Sequence, residues 1–245
     1  NGWRIQMIKT AKAFAEDPAM KDKISEFKVV STGTDAAVQL GAIEDFINQG
    51  YDAIITIAVA PDGFDRVIRL ADKNNVVLVP FDNVLDTDKV MQVNEDQLEM
   101  GHKWGQFVLD QLKEKGVNGG KILEVRGLPG NSVDQRHTDG AMHIFNQYPG
   151  IEVVAEYYSY WDDRTTQQET AKALAAHPDV DGIWAQAGEY GAIQALMDAG
   201  DRLVPMTGEN SAGFRLALAD PAMQEKGLRG VSAGSPTSRA VLAGA

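Results

Sequence analysis

No cysteine occurs anywhere in the chain, which removes disulfides, thiolate nucleophiles and cysteine-ligated zinc from consideration. Nor does any apolar run approach the roughly 20 residues that a bilayer span requires; the longest candidates, such as residues 53–60, are of strand length. Basic residues are outnumbered: 23 Lys and Arg against 35 Asp and Glu leave a net charge of -12. A chain of that sign repels phosphate backbones and anionic lipid, so nucleic acid is not an expected partner. The patterns of common enzymes are also missing, with no Gly-x-Ser-x-Gly, no His-Glu-x-x-His, no phosphate loop and no Gly-x-Gly-x-x-Gly after a strand. Histidine is scarce, with four in the chain. His102, His143 and His177 lie in helical patterns and read as surface or helix-terminal residues, whereas His137 stands beside Arg136 in what reads as a loop. No cofactor or metal is called for.

What is present is an ordinary globular composition, 44% hydrophobic and 24% charged over 245 residues, enough for one large domain or two modest ones. Helical and strand patterns alternate. Ile5, Ile8, Ala11 and Phe14 recur at helical spacing, followed by the short β-branched stretch Phe27 to Val30. A helix over 36–49 with Gly50 as its C-terminal cap leads to a strand at 53–57, and a helix over 62–73 leads to a strand at 76–79. A strand near 90–93 and a long helix through Leu112 follow. The cycle then restarts with strands at 122–125, 152–157, 182–185 and 204–206, separated by helices. This alternation predicts an α/β fold: two Rossmann-like lobes with parallel sheets and helices on both faces. Ligands of such sheets bind at the strands' C-terminal ends, which is where Asp82-Asn83, Trp161-Asp162 and Glu209-Asn210 fall.

The stretch 126–140, RGLPGNSVDQRHTDG, follows a strand and opens a helix, so Asn131, Asp134, Arg136 and His137 can face a ligand. The plainer alternative is that Asp134 caps the helix and Arg136 is solvated. Trp3 with Arg4, and Trp161 with Asp162 and Asp163, combine aromatic faces with planar polar groups. A sugar needs that combination: its C–H face stacks on indole while its hydroxyls donate and accept around its edge. Core packing is the plainer reading of any single aromatic, and Trp104 on a helix face and Trp184 within a strand fit it better.

These residues resemble the ribose-type periplasmic sugar-binding proteins of ABC importers, a family sharing its two-lobed, hinged fold with the effector domains of lactose-repressor-type regulators. The likeness runs through nearly the whole chain. It includes Asn1-Gly-Trp-Arg, Val79-Pro-Phe-Asp-Asn83, Val93-Asn-Glu-Asp96, Gly130-Asn-Ser with Arg136, Trp161-Asp162, the segment 177–186 and Thr207-Gly-Glu-Asn210. The resemblance implies lobes formed by 1–96 with 235–245 and by 97–234, with a ligand captured in the cleft by hinge closure. Asn1, Trp3, Arg4, Asp82 and Asn83 would serve from one lobe, and Asp134, Arg136, His137, Trp161, Gln186, Glu209 and Asn210 from the other. Four departures stand out, the first being that Ile57-Ala-Val-Ala-Pro61 lacks the family's usual polar residue after its strand. Asn83 sits where ribose binders often have arginine. The family's helix arginine falls at His137, with Arg136 one place earlier. Gly234 or Ser235 replaces the amide usual at the second crossing.

The function so implied is the non-enzymatic capture of a monosaccharide or polyol for an ABC permease. It would act as a monomer, with a chemoreceptor as a further candidate partner, in the periplasm or lipid-anchored outside a Gram-positive membrane. The rivals are a sugar-sensing effector domain of a transcription regulator and a sugar-modifying enzyme using Asp134 or Glu209. The chain opens without a leader pattern and ends inside a helical one. By the resemblance a strand precedes the first helix and further strands follow the last, so a longer protein is expected at both ends.

Overall fold

The computed structural model describes residues 2–116 and 119–244, and the chain divides into two compact units. The first comprises Asn1–Glu95, Asn131–Val133 and Ser235–Ala245; the second comprises Asp96–Gly130 and Asp134–Gly234.

In the first unit, α1 (Gly2–Ala15) is followed by α2 (Ala36–Asn48), β1 (Ala53–Thr56), α3 (Asp65–Lys73) and β2 (Val77–Pro80). Helix α2 starts where the Asp35 carboxylate accepts from the amides of Ala37 and Val38, and the chain leaves it through Gly50 at φ 82°. Strands β1 and β2 pair in parallel, and Phe81 adds a single parallel bridge to Val93. Alternation along the strands sends Ile54 and Leu78 toward Ile43, Ile47, Val67 and Ile68 of α2 and α3. The opposite face, with Ile55, Ile57 and Phe81, packs against Ala11 of α1 and Ala240 of a helix close to the chain end.

Two sequence expectations fail in this unit. Residues 27–30, predicted as a strand, belong to no ladder, and Phe27, Val29 and Val30 stand 37%, 45% and 49% exposed. A β-branched run becomes a strand only where a neighbour supplies hydrogen bonds, and none does among the described residues. The strand expected over 90–93 reduces to the one bridge at Val93 for the same reason.

The second unit runs through α4 (Gln97–Glu114), β3 (Gly120–Arg126), α5 (Ser132–Phe145), β4 (Ile151–Tyr158), α6 (Asp163–Ala176), β5 (Gly182–Ala185), α7 (Glu189–Gly200), β6 (Pro205–Gly208), α8 (Ala212–Ala219), α9 (Pro221–Glu225) and β7 (Arg229–Ser232); α10 (Arg239–Gly244) returns to the first unit. Its five strands are all parallel in the order β4-β3-β5-β6-β7. Leu123, Val125, Ile183 and Ala185 face a core shared with Leu174 of α6, Ile193 and Leu196 of α7 and Phe214 of α8. Ile122 and Trp184 face the other way, onto Trp104, Val108 and Leu112 of α4 and Ile144 of α5. Both faces are therefore covered, as continuous apolar strands require. β7 went unforeseen because Val231 is its only large apolar residue. The order of connection reverses across the sheet between β3 and β5, and the C-terminal side of such a switch point is the ligand position of open α/β sheets.

Candidate functional site

At that switch point the second unit builds a polar hub around the end of β3. The Arg126 guanidinium donates to Asp134 through Nη2 at 2.7 Å and Nε at 3.4 Å, and to Glu156 through Nη1 at 3.1 Å. Its plane lies 5.0 Å from the Tyr158 ring centre. Burial opposes the charge on Arg126, but hydrogen bonding to Asp134 and that residue's charge outweigh burial and hold the guanidinium pKa above its ordinary value. The Asp134 carboxylate, almost wholly buried, also accepts from the Gly127 amide at 2.7 Å and from Gln186 Nε2 at 2.9 Å. Gln186 is placed by β5, and its carbonyl accepts from the Glu209 amide at 3.0 Å beyond β6.

Trp161 reaches the same hub through a tight turn. Ser159 donates from its amide and hydroxyl to the Arg126 carbonyl, at 2.8 and 2.7 Å, and its Oγ accepts from the Trp161 amide at 3.1 Å. Tyr160 and Trp161 are both left-handed, at φ 55° and 54°, a conformation that costs an L-residue free energy and is held by these bonds. The half-buried indole lies over Gly127, where any Cβ would overlap the ring. The hub can thus present a carboxylate with its acceptors oriented, an amide and an aromatic face to a ligand.

The first unit places a second set at the ends of its strands. Asp82 follows β2 at φ 65°. Burial raises its carboxyl above the ordinary range, while a hydrogen bond from Ser235 and the charges of Arg239 and Arg4 act in the opposite sense. Burial likewise lowers the pKa of Arg4, partly offset by Asp82. Trp3 Nε1 donates to the Ser235 carbonyl at 2.7 Å, and Ser235 Oγ donates to Glu95 at 2.8 Å. Glu95 also pairs with Arg239. An indole, two guanidinium groups and two carboxylates therefore share one network.

Trp3, Arg4 and Asp82 are brought together in the first unit, and Asp134, Trp161 and Gln186 in the second. Glu209, half-buried, and Asn210, exposed, follow β6 close to Gln186. Asn83 is buried and spends its amide on the Ala58 carbonyl. Asn131 donates to the Val59 carbonyl at 3.3 Å and accepts from the Val133 amide, so it, and not Asp134, caps α5. Asn1 lies outside the described residues.

His137 requires correction: it lies within α5, not in a loop, fully buried against α4 with Nε2 2.7 Å from Gln97 Oε1. Burial holds the imidazole pKa down at about 4, so the ring is neutral near pH 7. The close approach of the helices explains this position, for a Cβ on Gly101 would overlap the His137 backbone. Arg136 is exposed on the outer side of α5. Sequence reasoning passed over Arg126, Glu95 and Arg239. A basic residue at a strand end with an acid eight positions on was a usable signal for Arg126; the Glu95–Arg239 pair, distant in sequence, left none.

Among the described residues no helix is long and apolar enough to cross a membrane, and no group of three His, Asp or Glu is placed to hold a metal. The doubly wound sheet with its strand-end network belongs to a class of α/β binding folds, and residues 1–230 match the periplasmic binding protein domain; the chain is a member of that family. It is similar to a xylitol-binding protein of Mycolicibacterium smegmatis, 29% identical over 182 residues that cover 73% of this chain and 51% of that protein. It is also similar to a ribose import binding protein of Bacillus subtilis, 26% identical over 175 residues, 70% of this chain and 55% of that one. The chain thus spans about half the length of these relatives. Its fold is that of an ABC transporter solute binding protein from Thermobispora bispora, with a TM-score of 0.86 at 23% identity over 98% of this chain and 73% of the other.

Proposed function

We propose that this chain captures a neutral monosaccharide or polyol as the substrate-binding component of an ABC importer and performs no covalent chemistry. The observation that carries this reading is the repeated grouping in each unit of an indole, a carboxylate and a planar donor: Trp3 with Asp82 and Arg4, and Trp161 with Asp134 and the Gln186 amide. Carboxylates accept from sugar hydroxyls, guanidinium and amide groups donate to them, and an indole face covers the C–H face of the ring. Trp3, Arg4, Asp82, Asp134, Trp161, Gln186, Glu209 and Asn210 are the proposed ligand contacts. Asn83, whose side-chain amide donates to the Ala58 carbonyl, and His137, buried against α4 with Nε2 on Gln97, are proposed as supports.

Membership in a family of binding proteins and similarity to xylitol- and ribose-binding relatives support the ligand class. Neither relative named above is a regulator or an enzyme. The working compartment is outside the cytoplasmic membrane, in the periplasm or on a lipid anchor, with an ABC permease as partner. The protein works as a monomer, and a chemoreceptor is a further candidate partner.

Thermal-shift screening of the full-length protein against monosaccharides and polyols tests the reading. A ligand at a hundred times its dissociation constant adds about 2.7 kcal/mol of stability. The expected result is a rise in Tm with a neutral sugar or polyol that disappears in Asp82→Ala and Trp161→Ala. No rise with any member of the panel would overturn the ligand class, and consumption of the sugar would overturn the non-enzymatic reading.

A further inference from the structure

We propose that Arg126 is a positioning residue of the binding site: it touches no ligand, but its guanidinium fixes the Asp134 carboxylate and the Gly127 peptide on which the Trp161 indole rests. This deepens the sugar-binding reading, from which the roles of Asp134 and Trp161 are taken.

The argument begins with how Arg126 spends its donors. Asp134 takes two, Glu156 takes a third, and the Gln135 side chain accepts from Nη2 at 3.5 Å. With its side chain only 11% exposed, the guanidinium has little surface left for a ligand. Its effect passes instead through Asp134. A buried carboxylate without a counter-charge would take a proton or turn away; the first weakens and the second breaks its hold on the Gly127 amide, from which Oδ1 accepts at 2.7 Å.

The Gly127 peptide is the floor of the Trp161 turn. The indole lies directly against it, and its carbonyl accepts from the Tyr160 amide at 3.0 Å. A second path runs through Tyr158, whose ring is covered by the guanidinium and which leads straight into the turn. The turn itself stores strain at Tyr160 and Trp161, so it relaxes once its floor shifts. A single side chain thereby sets two unlike elements of recognition, an acceptor and a stacking face. Lysine cannot replace it, because one ammonium cannot hold a carboxylate by two parallel bonds while covering an aromatic ring.

The test needs no ligand. The full-length protein is labelled with 5-fluorotryptophan, and its ¹⁹F spectrum is recorded for the wild type, Arg126→Gln and Arg126→Lys, with Trp161→Phe assigning the Trp161 line. The Trp161 line is expected to move by more than its own width in Arg126→Gln, and by a smaller amount in Arg126→Lys, while the lines of Trp3, Trp104 and Trp184 keep their positions. A Trp161 line unmoved in both variants would overturn the proposal. So would equal movement of the Trp104 and Trp184 lines, which would reduce Arg126 to a general contributor to the fold. Where Arg126→Gln does not fold, Arg126→Lys alone decides by the same criterion. A displaced Trp161 line in a protein that binds no sugar would sink the sugar reading and leave the positioning role standing.

Discussion

Glu124 lies on the same face of β3 as Arg126, opposite Glu156 on β4 and Trp184 on β5, and is nearly inaccessible. Three carboxylates, Glu124, Asp134 and Glu156, thus surround one guanidinium. Burial first, and then the charge of Glu156, push the Glu124 carboxyl from 4.5 up to about 7. The folded state therefore keeps a proton that the unfolded chain has already lost, and stability falls as pH rises from about 4.5 toward 7 and is level above. Glu124→Gln keeps the shape without the ionisation. Urea unfolding should find the variant more stable than wild type by on the order of 2 kcal/mol at pH 8 and about equal to it at pH 4. An unchanged difference across that range would mean that the Glu124 carboxyl titrates alike in the folded and unfolded chain. Residue type alone revealed much at this scale: Trp104 and Trp184, read from the sequence as core, are 1% and 0% exposed. The state of Glu124 was not legible, because a strand pattern shows which face a carboxyl takes but not which charges lie across the sheet.

At the scale of elements, neighbouring residues in one turn carry separate duties. Trp161 is shaped for contact, while Asp162 caps α6 by accepting from the Thr165 amide at 2.9 Å and hydroxyl at 3.0 Å. Asp162→Ala should lower stability by about 1 kcal/mol, the usual worth of an N-cap. Its ligand affinity should be retained, in contrast to Trp161→Ala. Chemical denaturation together with ligand titration separates the two; a loss of affinity in Asp162→Ala at unchanged stability would make the carboxylate a contact. The alternation of helix and strand was plain in the sequence wherever a strand had partners, as at β1, β3 and β5, because burial on both faces writes a continuous apolar run. Residues 27–30 carry the same composition yet form no ladder, and β7 forms one with little apolar character. In both cases pairing, which composition does not encode, decides the outcome. The loop placement of His137 failed likewise, since the Pro-Gly-Asn turn signals end earlier than expected and α5 already begins at Ser132.

Across the whole molecule the decisive quantity is charge. The chain carries a net -12, and its candidate contact groups are internally balanced. Arg4 and Arg239 stand with Asp82 and Glu95, while Arg126 is taken up by Asp134 and Glu156. No buried cation among these is left to neutralise a phosphate or carboxylate on a ligand, and an anion approaching a protein of this charge is repelled before contact. Exposed Arg136 would not change this, for a solvated guanidinium is screened at physiological salt and contributes little to affinity. A neutral polyol meets none of these costs, because its hydroxyls exchange water for groups that already hold their orientation. A neutral sugar and its phosphorylated counterpart should therefore differ by at least 100-fold in affinity, about 2.7 kcal/mol. The gap should narrow as salt is raised, to the extent that long-range repulsion contributes. Calorimetric titration of both compounds at low and high ionic strength measures this directly. Equal affinity, or tighter binding of the phosphorylated form, would require a free cation in the site and would bring Arg136 or Arg239 into direct contact with the ligand.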